Sequence, residues 1–441
     1  MKIAHLLGWY FPDSVGGTEV YVEGLCRRLR AAGHDVLIAA PDSHNAAPQR
    51  YEHDQVPVFR YAIPEVATRD EVNHFVPVRG VEALYRWLAD ERPDILHVHS
   101  FTTGIGLLEI REARRLGIRV IVTCHLPGLA YMCRTGDLMQ WGRNQCDGIV
   151  IPDKCAACNL TRMGVPQPVA ELLGKIPLPL SVPLGRIPGG AGTVLGMVGS
   201  VRHFQTLQTE LFDLVERFVV LNDTARRMLI DNGSPAGKIV LNRLGLSQPG
   251  VQLKPGPEVR PTVAPVRFLY LGRFHPTKGL VALVRAALAV PQDIPFRLDV
   301  RGPLIDADSD AYAAELRRVA AGDPRMKIGS GVAASQVPTL LAQHDVLLCP
   351  SIWFENGPTV ALEAMAAGTP VIASRVGNLV EIIEDGVNGQ LVEPNDLTEW
   401  TAALSRAASD PAATIDQWRR ALRPQRTMDD VAADYLTMYA A

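Results

Sequence analysis

The sequence predicts an α/β protein built from two doubly wound domains. Three observations lead there: short apolar runs of strand length alternate with helical patterns, the alternation occurs as two successive series, and a Pro- and Gly-rich stretch separates them. At 441 residues the chain is too long for one hydrophobic core and suits two large domains. Hydrophobic residues make up 47% and charged residues 21%, with a formal net charge of −3. That is the composition of a globular chain, and with no basic excess or charge block it argues against a nucleic-acid partner.

The first series is "KIAHLL", "DVLIAA", "DILHVH" and "RVIVTC", near-continuous apolar runs that read as parallel strands covered on both faces. Between the first two lies "TEVYVEGLCRRLRAAGH", with apolar residues at helical spacing and a stop at Gly33. The second series is "VRFLYLG", "FRLDVRG", "DVLLCP" and "PVIAS". The stretch from Gly245 to Pro265 has no sustained apolar period and reads as the linker. The expected division is residues 1–250 for an N-terminal domain, with a Cys-rich insert over 126–212, and 251–425 for a C-terminal domain. Residues 426–441 read as an amphipathic helix that caps one of the domains, returning to the first.

The start, "MKIAHLLGWYFPDSVGG", lacks an apolar stretch and cleavage site of signal-peptide length, and no apolar run reaches membrane-spanning length. The expectation is a cytoplasmic protein with reduced thiols.

In "RFLYLGRFHPTKGL", Arg273 ends a strand and Lys278 opens a helix. Ligands of doubly wound sheets bind outside the carboxyl ends of strands, where free helix N–H groups already favour anions. Two cations on one such turn suit a diphosphate, although the pair alone reads equally as solvated surface charge. The stretch "FENGPTVALEAMAAGTPVIAS" adds two carboxylates at the next strand–helix turn. Glu355 precedes the turn-forming Asn356-Gly357-Pro358, Pro358 takes the first helical position, and Gly368 closes the helix. Glu363 falls in its second turn among alanines and Thr359, placed to accept from two neighbouring hydroxyls such as those of a ribose. Periodicity alone leaves a solvated surface glutamate equally open.

Taken together, Arg273, Lys278 and the Glu355–Glu363 pair resemble the retaining glycosyltransferases of family 4, the group 1 glycosyl transferases of GT-B fold. "FPDSVGGTEVYVEGLCRRLRAAGHDVLI" is similar to that family's N-terminal glycine loop and first helix. "HDVLLCPSIWFENGPTVALEAMAAGTPVIASRVGNLVEIIEDGVNGQLVEPND" is similar to its donor-site signature almost throughout. The resemblance implies two Rossmann-like domains facing a deep cleft, with the acceptor on the N-terminal side and a nucleotide-diphosphate sugar on the C-terminal side. It implies that Arg273 and Lys278 hold the diphosphate, Glu363 the ribose, and Glu355 the transferred sugar, with the Asn356, Gly357, Pro358 and Thr359 backbone around sugar and phosphate. It also implies that Gly16 and Gly17 approach the diphosphate and that His125 lies near the donor sugar. Gly302 and Val332 are expected at the base pocket. Transfer would retain anomeric configuration without a catalytic metal, to a carbohydrate or lipid-linked saccharide acceptor, as in polysaccharide or glycoconjugate biosynthesis. A sugar-nucleotide epimerase of the same fold and a non-catalytic nucleotide-sugar binder are the competing readings.

Two further groups stand out. Cys133, Cys146, Cys155 and Cys158 cluster within 26 residues and suggest a structural zinc site, with free thiols or disulfides as the alternatives. His97 and His99 share one strand face, but no third metal ligand lies near them in sequence, and a structural role is the stronger reading. Finally, residues 159–208 are apolar, Pro- and Gly-rich and locally basic, which reads as an ordered surface excursion. The functional alternative is an acceptor or membrane-surface lip, placing the protein peripherally at the inner face of the membrane.

Overall fold

The computed structural model of the protein describes residues 1–13, 16–125, 128, 132–247, 265–304 and 306–441. The chain divides into two compact units, Met1–Arg243 with Met428–Ala441, and Leu244–Thr427. Most of the stretch read as a linker, residues 248–264, lies outside the described residues.

The first unit carries strands β1 (Lys2–Leu6), β2 (Asp35–Asp42), β3 (Gln49–His53), β4 (Val56–Ala62), β5 (Ile95–Val98) and β6 (Arg119–Cys124). A small hairpin, β7 (Met139–Gln140) and β8 (Asn144–Gln145), precedes β9 (Arg217–Val220) and β10 (Ile239–Leu241). The sheet runs β10-β9-β6-β5-β1-β2-β4-β3. All its pairings are parallel except β3 with β4. That exception is a hairpin closed by Asp54 and Gln55, both left-handed at φ 48° and 60°, the backbone a two-residue hairpin needs. Central β1 is sealed on both faces, with Ile3, Ala4, His5 and Leu6 at 0% exposure.

The final helix, Met428–Ala440, belongs to this unit. It lays Tyr435 and Tyr439, both fully buried, over the sheet. Residues 152–214 are more regular than their composition implies, folding into helices Pro152–Arg162, Gln167–Gly174, Leu178–Leu184, Gly189–Leu195 and Met197–Leu214. Their prolines explain how: Pro166, Pro177 and Pro188 stand at N-caps and Pro152, Pro168 and Pro179 in first turns, where a missing N–H costs nothing, and only Pro183 lies beyond a first turn.

The second unit is a six-stranded parallel sheet of β11 (Val266–Leu271), β12 (Phe296–Gly302), β13 (Met326–Ser330), β14 (Val346–Cys349), β15 (Val371–Ser374) and β16 (Gly389–Val392). Alternate residues feed two cores. Phe268, Leu348, Ile372 and Val392 join one cluster with Trp400, while Leu269, Leu347, Val371 and Leu391 join the other with Met365. Each such side chain contributes roughly 1.5–3 kcal/mol on burial, which holds the strand ends rigid where the loops depart.

Candidate active site

In the second unit the strands run β13-β12-β11-β14-β15-β16, so the chain reverses its direction of travel between β11 and β14. Because every pairing is parallel, the loops after all these strands leave from one edge of the sheet. The reversal point is where a doubly wound sheet opens a crevice for ligands. Arg273 and Lys278 follow β11, and Glu355 to Thr359 follow β14, so the topology brings both charged turns to that point.

The two loops touch. Lys278 Nζ donates to Glu355 Oε1, and Ser351 Oγ donates to the same oxygen. Lys278 and Glu355 keep 18% and 12% of their side chains exposed, enough to meet a ligand. Ile352 N–H donates to Thr277 O at 2.9 Å, tying the backbones. This closeness requires Gly279, at φ 67°, where a Cβ would lie 2.0 Å from Pro350 O. Glu355 is also gripped from the loop after β15: Asn378 N–H donates to its carbonyl at 2.6 Å. There a Cβ on Gly377, at φ 51°, would lie 2.4 Å from the same oxygen. The Arg273 side chain is exposed, and its carbonyl accepts from Tyr270 OH at 2.8 Å.

Beyond Glu355, Asn356 is buried, and the short helix Thr359–Ala366 follows. Pro358 stands at the N-cap, one residue before the first helical position expected for it, and Gly368 follows the helix at φ 80°. Glu363 is half-buried in that helix, and burial pushes its carboxyl up to about 7. Gly302, the last residue of β12, pairs with Ser330 of β13 and packs against Gly272 of the β11 loop. Val332 lies two residues past β13 on the same edge. The structure thus gathers these residues at one sheet edge, with a direct side-chain contact between Lys278 and Glu355.

In the first unit Gly16 is the N-cap of the helix Gly17–Ala31, and the Glu19 carboxylate folds so close that a Cβ on Gly16 would lie 2.5 Å from it. Ser14 and Val15 of the glycine loop lie outside the described residues. His125 directly follows β6.

His125 ends a buried histidine chain. His5 Nδ1 meets His99 Nε2 at 2.9 Å, and His99 Nδ1 meets His125 Nε2 at 3.0 Å. His97 is held by Tyr439 OH at 2.6 Å and Thr123 Oγ1 at 2.7 Å. Tyr435 continues that network, 2.7 Å from Thr123 and accepting from Tyr21 at 3.0 Å. Burial lowers all four histidines, His5 and His125 to about 3, so they stand as neutral imidazoles.

Sequence reading missed His5, the third histidine beside His97 and His99, because β1–β5 register supplies it from 92 residues away. The ring nitrogens of the three lie within 4.8 Å of one another. Yet both nitrogens of His97 and of His99 are already hydrogen-bonded, leaving His5 Nε2 as the nitrogen without a partner. One open nitrogen does not make a metal site. An orphaned acceptor there is cheaper than an orphaned N–H, so the chain donates from His5 toward His125 and leaves the His125 proton on Nδ1.

The same unit holds a cavity of about 330 Å³ lined by Asn73, His74, Phe101, Arg134, Ser200 and His203 among others. Arg134 donates to Ser200 Oγ and, at 2.8 Å, to Asn73 Oδ1. Next to it, Cys133, Cys146, Cys155 and Cys158 share a second, smaller cavity.

Two sequence families match the chain: "Glycosyltransferase Family 4" over residues 15–171 and "Glycosyl transferases group 1" over residues 265–410. D-inositol 3-phosphate glycosyltransferase of Pseudarthrobacter chlorophenolicus is 26% identical over 427 residues, spanning 92% of this chain and 85% of its own. Alpha-maltose-1-phosphate synthase of Mycobacterium tuberculosis is 32% identical over 179 residues, 38% of this chain and 44% of its own. Among solved structures, sucrose-phosphate synthase of Thermosynechococcus elongatus superposes with a TM-score of 0.66 at 19% identity, covering 100% of this chain and 98% of that one. Anabaena HepE in complex with UDP gives 0.62 at 15% identity, with 100% of both chains covered. The family and fold that the residues resemble are therefore borne out: the chain belongs to the family 4, group 1 glycosyltransferases, and it is a glycosyltransferase of GT-B fold.

Proposed function

We propose that the protein is a retaining glycosyltransferase that moves a hexose from a nucleotide-diphosphate sugar to a carbohydrate or lipid-linked saccharide acceptor. The observation that carries this reading is the meeting of Lys278 with Glu355 at the chain-reversal point of the second sheet. Breaking the sugar–phosphate bond leaves negative charge on the diphosphate, and preorganised cations at that oxygen are the largest expected catalytic contribution. Arg273 and Lys278 supply them; the N–H groups of Asn356 and Gly357 add fixed dipoles without a metal. Glu355, held by Lys278 and Ser351, addresses the hydroxyls of the transferred sugar. Glu363 accepts from the ribose, and Gly302 and Val332 flank the base.

The cavity beside Arg134 is of a size that suits a saccharide acceptor, and its aromatic and amide lining suits sugar rings. Support for a lipid-linked acceptor comes from residues 163–187. Met163, Leu172, Leu180 and Val182 are 56%, 71%, 57% and 48% exposed there. Lys175 and Arg186 lie among them, and no acid occurs between Glu171 and Glu210. Among the described residues no helix is long and apolar enough to cross a membrane, so contact would be peripheral, at the inner, cytoplasmic face. Flotation with anionic but not neutral vesicles is the expected result; equal failure with both removes the membrane from the account.

The donor is tested by thermal shift with UDP, GDP, ADP and their sugar conjugates. A ligand at a hundred times its dissociation constant adds roughly 2.7 kcal/mol. One nucleotide family should raise the melting temperature and lose that effect in Lys278→Ala. Product analysis by NMR then decides the reaction: a transferred sugar of retained configuration supports the reading, whereas donor isomerised without acceptor makes the protein an epimerase.

A further inference from the structure

We propose that Cys133, Cys146, Cys155 and Cys158 bind one zinc ion, which clamps the β7–β8 hairpin to the helix Pro152–Arg162 and so fixes Arg134 in the wall of the first unit's cavity. All four cysteines line one space of about 30 Å³, room for an ion rather than a ligand, although their sulfurs are not gathered within 4.8 Å of one another as the ring nitrogens of His5, His97 and His99 are. The cysteines bracket a hairpin and a helix start: Cys133 and Cys146 flank the hairpin, while Cys155 and Cys158 lie three residues apart on one helix face.

Burial holds the protons on Cys146, Cys155 and Cys158, and metal binding displaces them. Trp141 N–H donates to Cys158 Sγ at 3.4 Å. Backbone donation of this kind orients a ligand sulfur and tunes its charge. Arg134 and Lys154 also line the space, Lys154 being paired with Asp147 at 2.6 Å.

Arg162 already ties the segment before the hairpin to the helix Pro152–Arg162, donating to Asp137 Oδ2 at 2.7 Å, and the zinc adds a second fastening. The hairpin's strands are two residues each, and such a hairpin is marginal in isolation. It holds Leu138 at φ 52° and Trp141 at φ 58°, with Gly136, Gly142 and Gly148 also left-handed. Non-glycine residues in that region cost about 1–3 kcal/mol each and persist only where the structure around them over-determines them. In the present arrangement the sulfurs are spread around the cavity in weak contacts of their own. Cys155 and Cys158 each lie 3.9 Å from a carbonyl, of Ile149 and Met139, and Cys133 lies 3.2 Å from Thr135 Oγ1. Binding replaces these contacts by χ1 rotation toward a common centre at about 2.3 Å from each sulfur.

Cys133 borders both cavities, and Arg134, Thr135 and Gly136 line the larger one. The zinc therefore acts on the acceptor side by holding Arg134 in place, without touching the reacting atoms.

The test is elemental analysis of the full chain purified from zinc-replete cells without chelator. The expected result is about one zinc per chain, retained in Cys26→Ala and lost in the Cys155→Ser/Cys158→Ser double variant. Cobalt exchanged into the wild type should show the thiolate charge-transfer bands of a tetrahedral sulfur site, a readout that does not depend on the variant folding. Stripping the metal should speed proteolytic cleavage within residues 133–148 while leaving the donor-induced thermal shift intact, which separates this proposal from the transferase reading. Wild-type protein free of stoichiometric metal, with all seven cysteines alkylated as thiols or with disulfides in the cluster, overturns it. Stoichiometric iron in place of zinc overturns it too.

Discussion

Lowering the pH from 8 to 6 should weaken binding of the nucleotide sugar about ten-fold through Glu363. Burial raises the Glu363 carboxyl from the ordinary carboxylate range to about 7. A carboxylate can accept from both ribose hydroxyls, whereas a protonated carboxyl must offer a proton to one of them. Binding therefore draws on the ionised fraction, about nine-tenths at pH 8 and about one-tenth at pH 6 for a pKa of about 7. The apparent dissociation constant rises by about an order of magnitude, or roughly 1.4 kcal/mol. The intact sugar conjugate is the right probe, because its diphosphate is esterified at both ends and keeps its charge through this range. Isothermal titration at both pH values, in buffers of different ionisation enthalpy, reads the affinity and the proton released together. Glu363→Gln should bind weakly and with little pH dependence, which also subtracts any part played by nearby His275. Wild-type affinity that is flat from pH 8 to 6, or the same slope in Glu363→Gln, would refute the assignment of Glu363 to the ribose.

Other outcomes follow from the same geometry. Lys278→Met and Glu355→Gln should each lower turnover by about a hundred- to a thousand-fold, as for loss of a preorganised transition-state group, with melting temperatures within a few degrees of wild type; normal turnover in purified variants removes those roles. Gly279→Ala should destabilise the second unit by about 2 kcal/mol or more, because the new methyl meets Pro350 O and separates the two loops; calorimetry checks it, and an unchanged melting temperature would contradict the described contact. The first unit should lose stability as pH falls below about 6.5, where the unfolded chain protonates its histidines but the native His5, His97, His99 and His125 stay neutral. Each costs about 2 kcal/mol between pH 7 and 5, offset in part by buried Glu109, whose raised pKa works in the opposite sense. Urea midpoints across that range measure the sum, and a flat profile would mean the histidines are not held neutral.

The sequence made the fold and the donor-side turns legible because both are written locally. A parallel strand covered on both faces must be an apolar run, as in "VRFLYLG" and "DVLLCP", and its ligand-facing residues follow within a few positions of its end. What depends on register was hidden. His5 joins His97 and His99 only once β1 pairs with β5, and nothing around His5 in the sequence distinguishes it from core. The antiparallel β3 was missed because Asp54-Gln55 lacks the glycine that usually announces a two-residue hairpin. The helices across residues 152–214 were obscured by prolines, which read as breakers until their places at the N-caps are seen. Pro358 shows the same uncertainty by a single position.

The measurement that bears most directly on the central claim is hydrogen–deuterium exchange with and without a saturating nucleotide sugar. If the donor binds where the second sheet reverses direction, amides of residues 272–279 and 350–359 should become protected together, and Lys278→Ala should lose that protection at the same ligand concentration. Protection confined to the first unit, or none in those two loops with donor bound, would contradict the account.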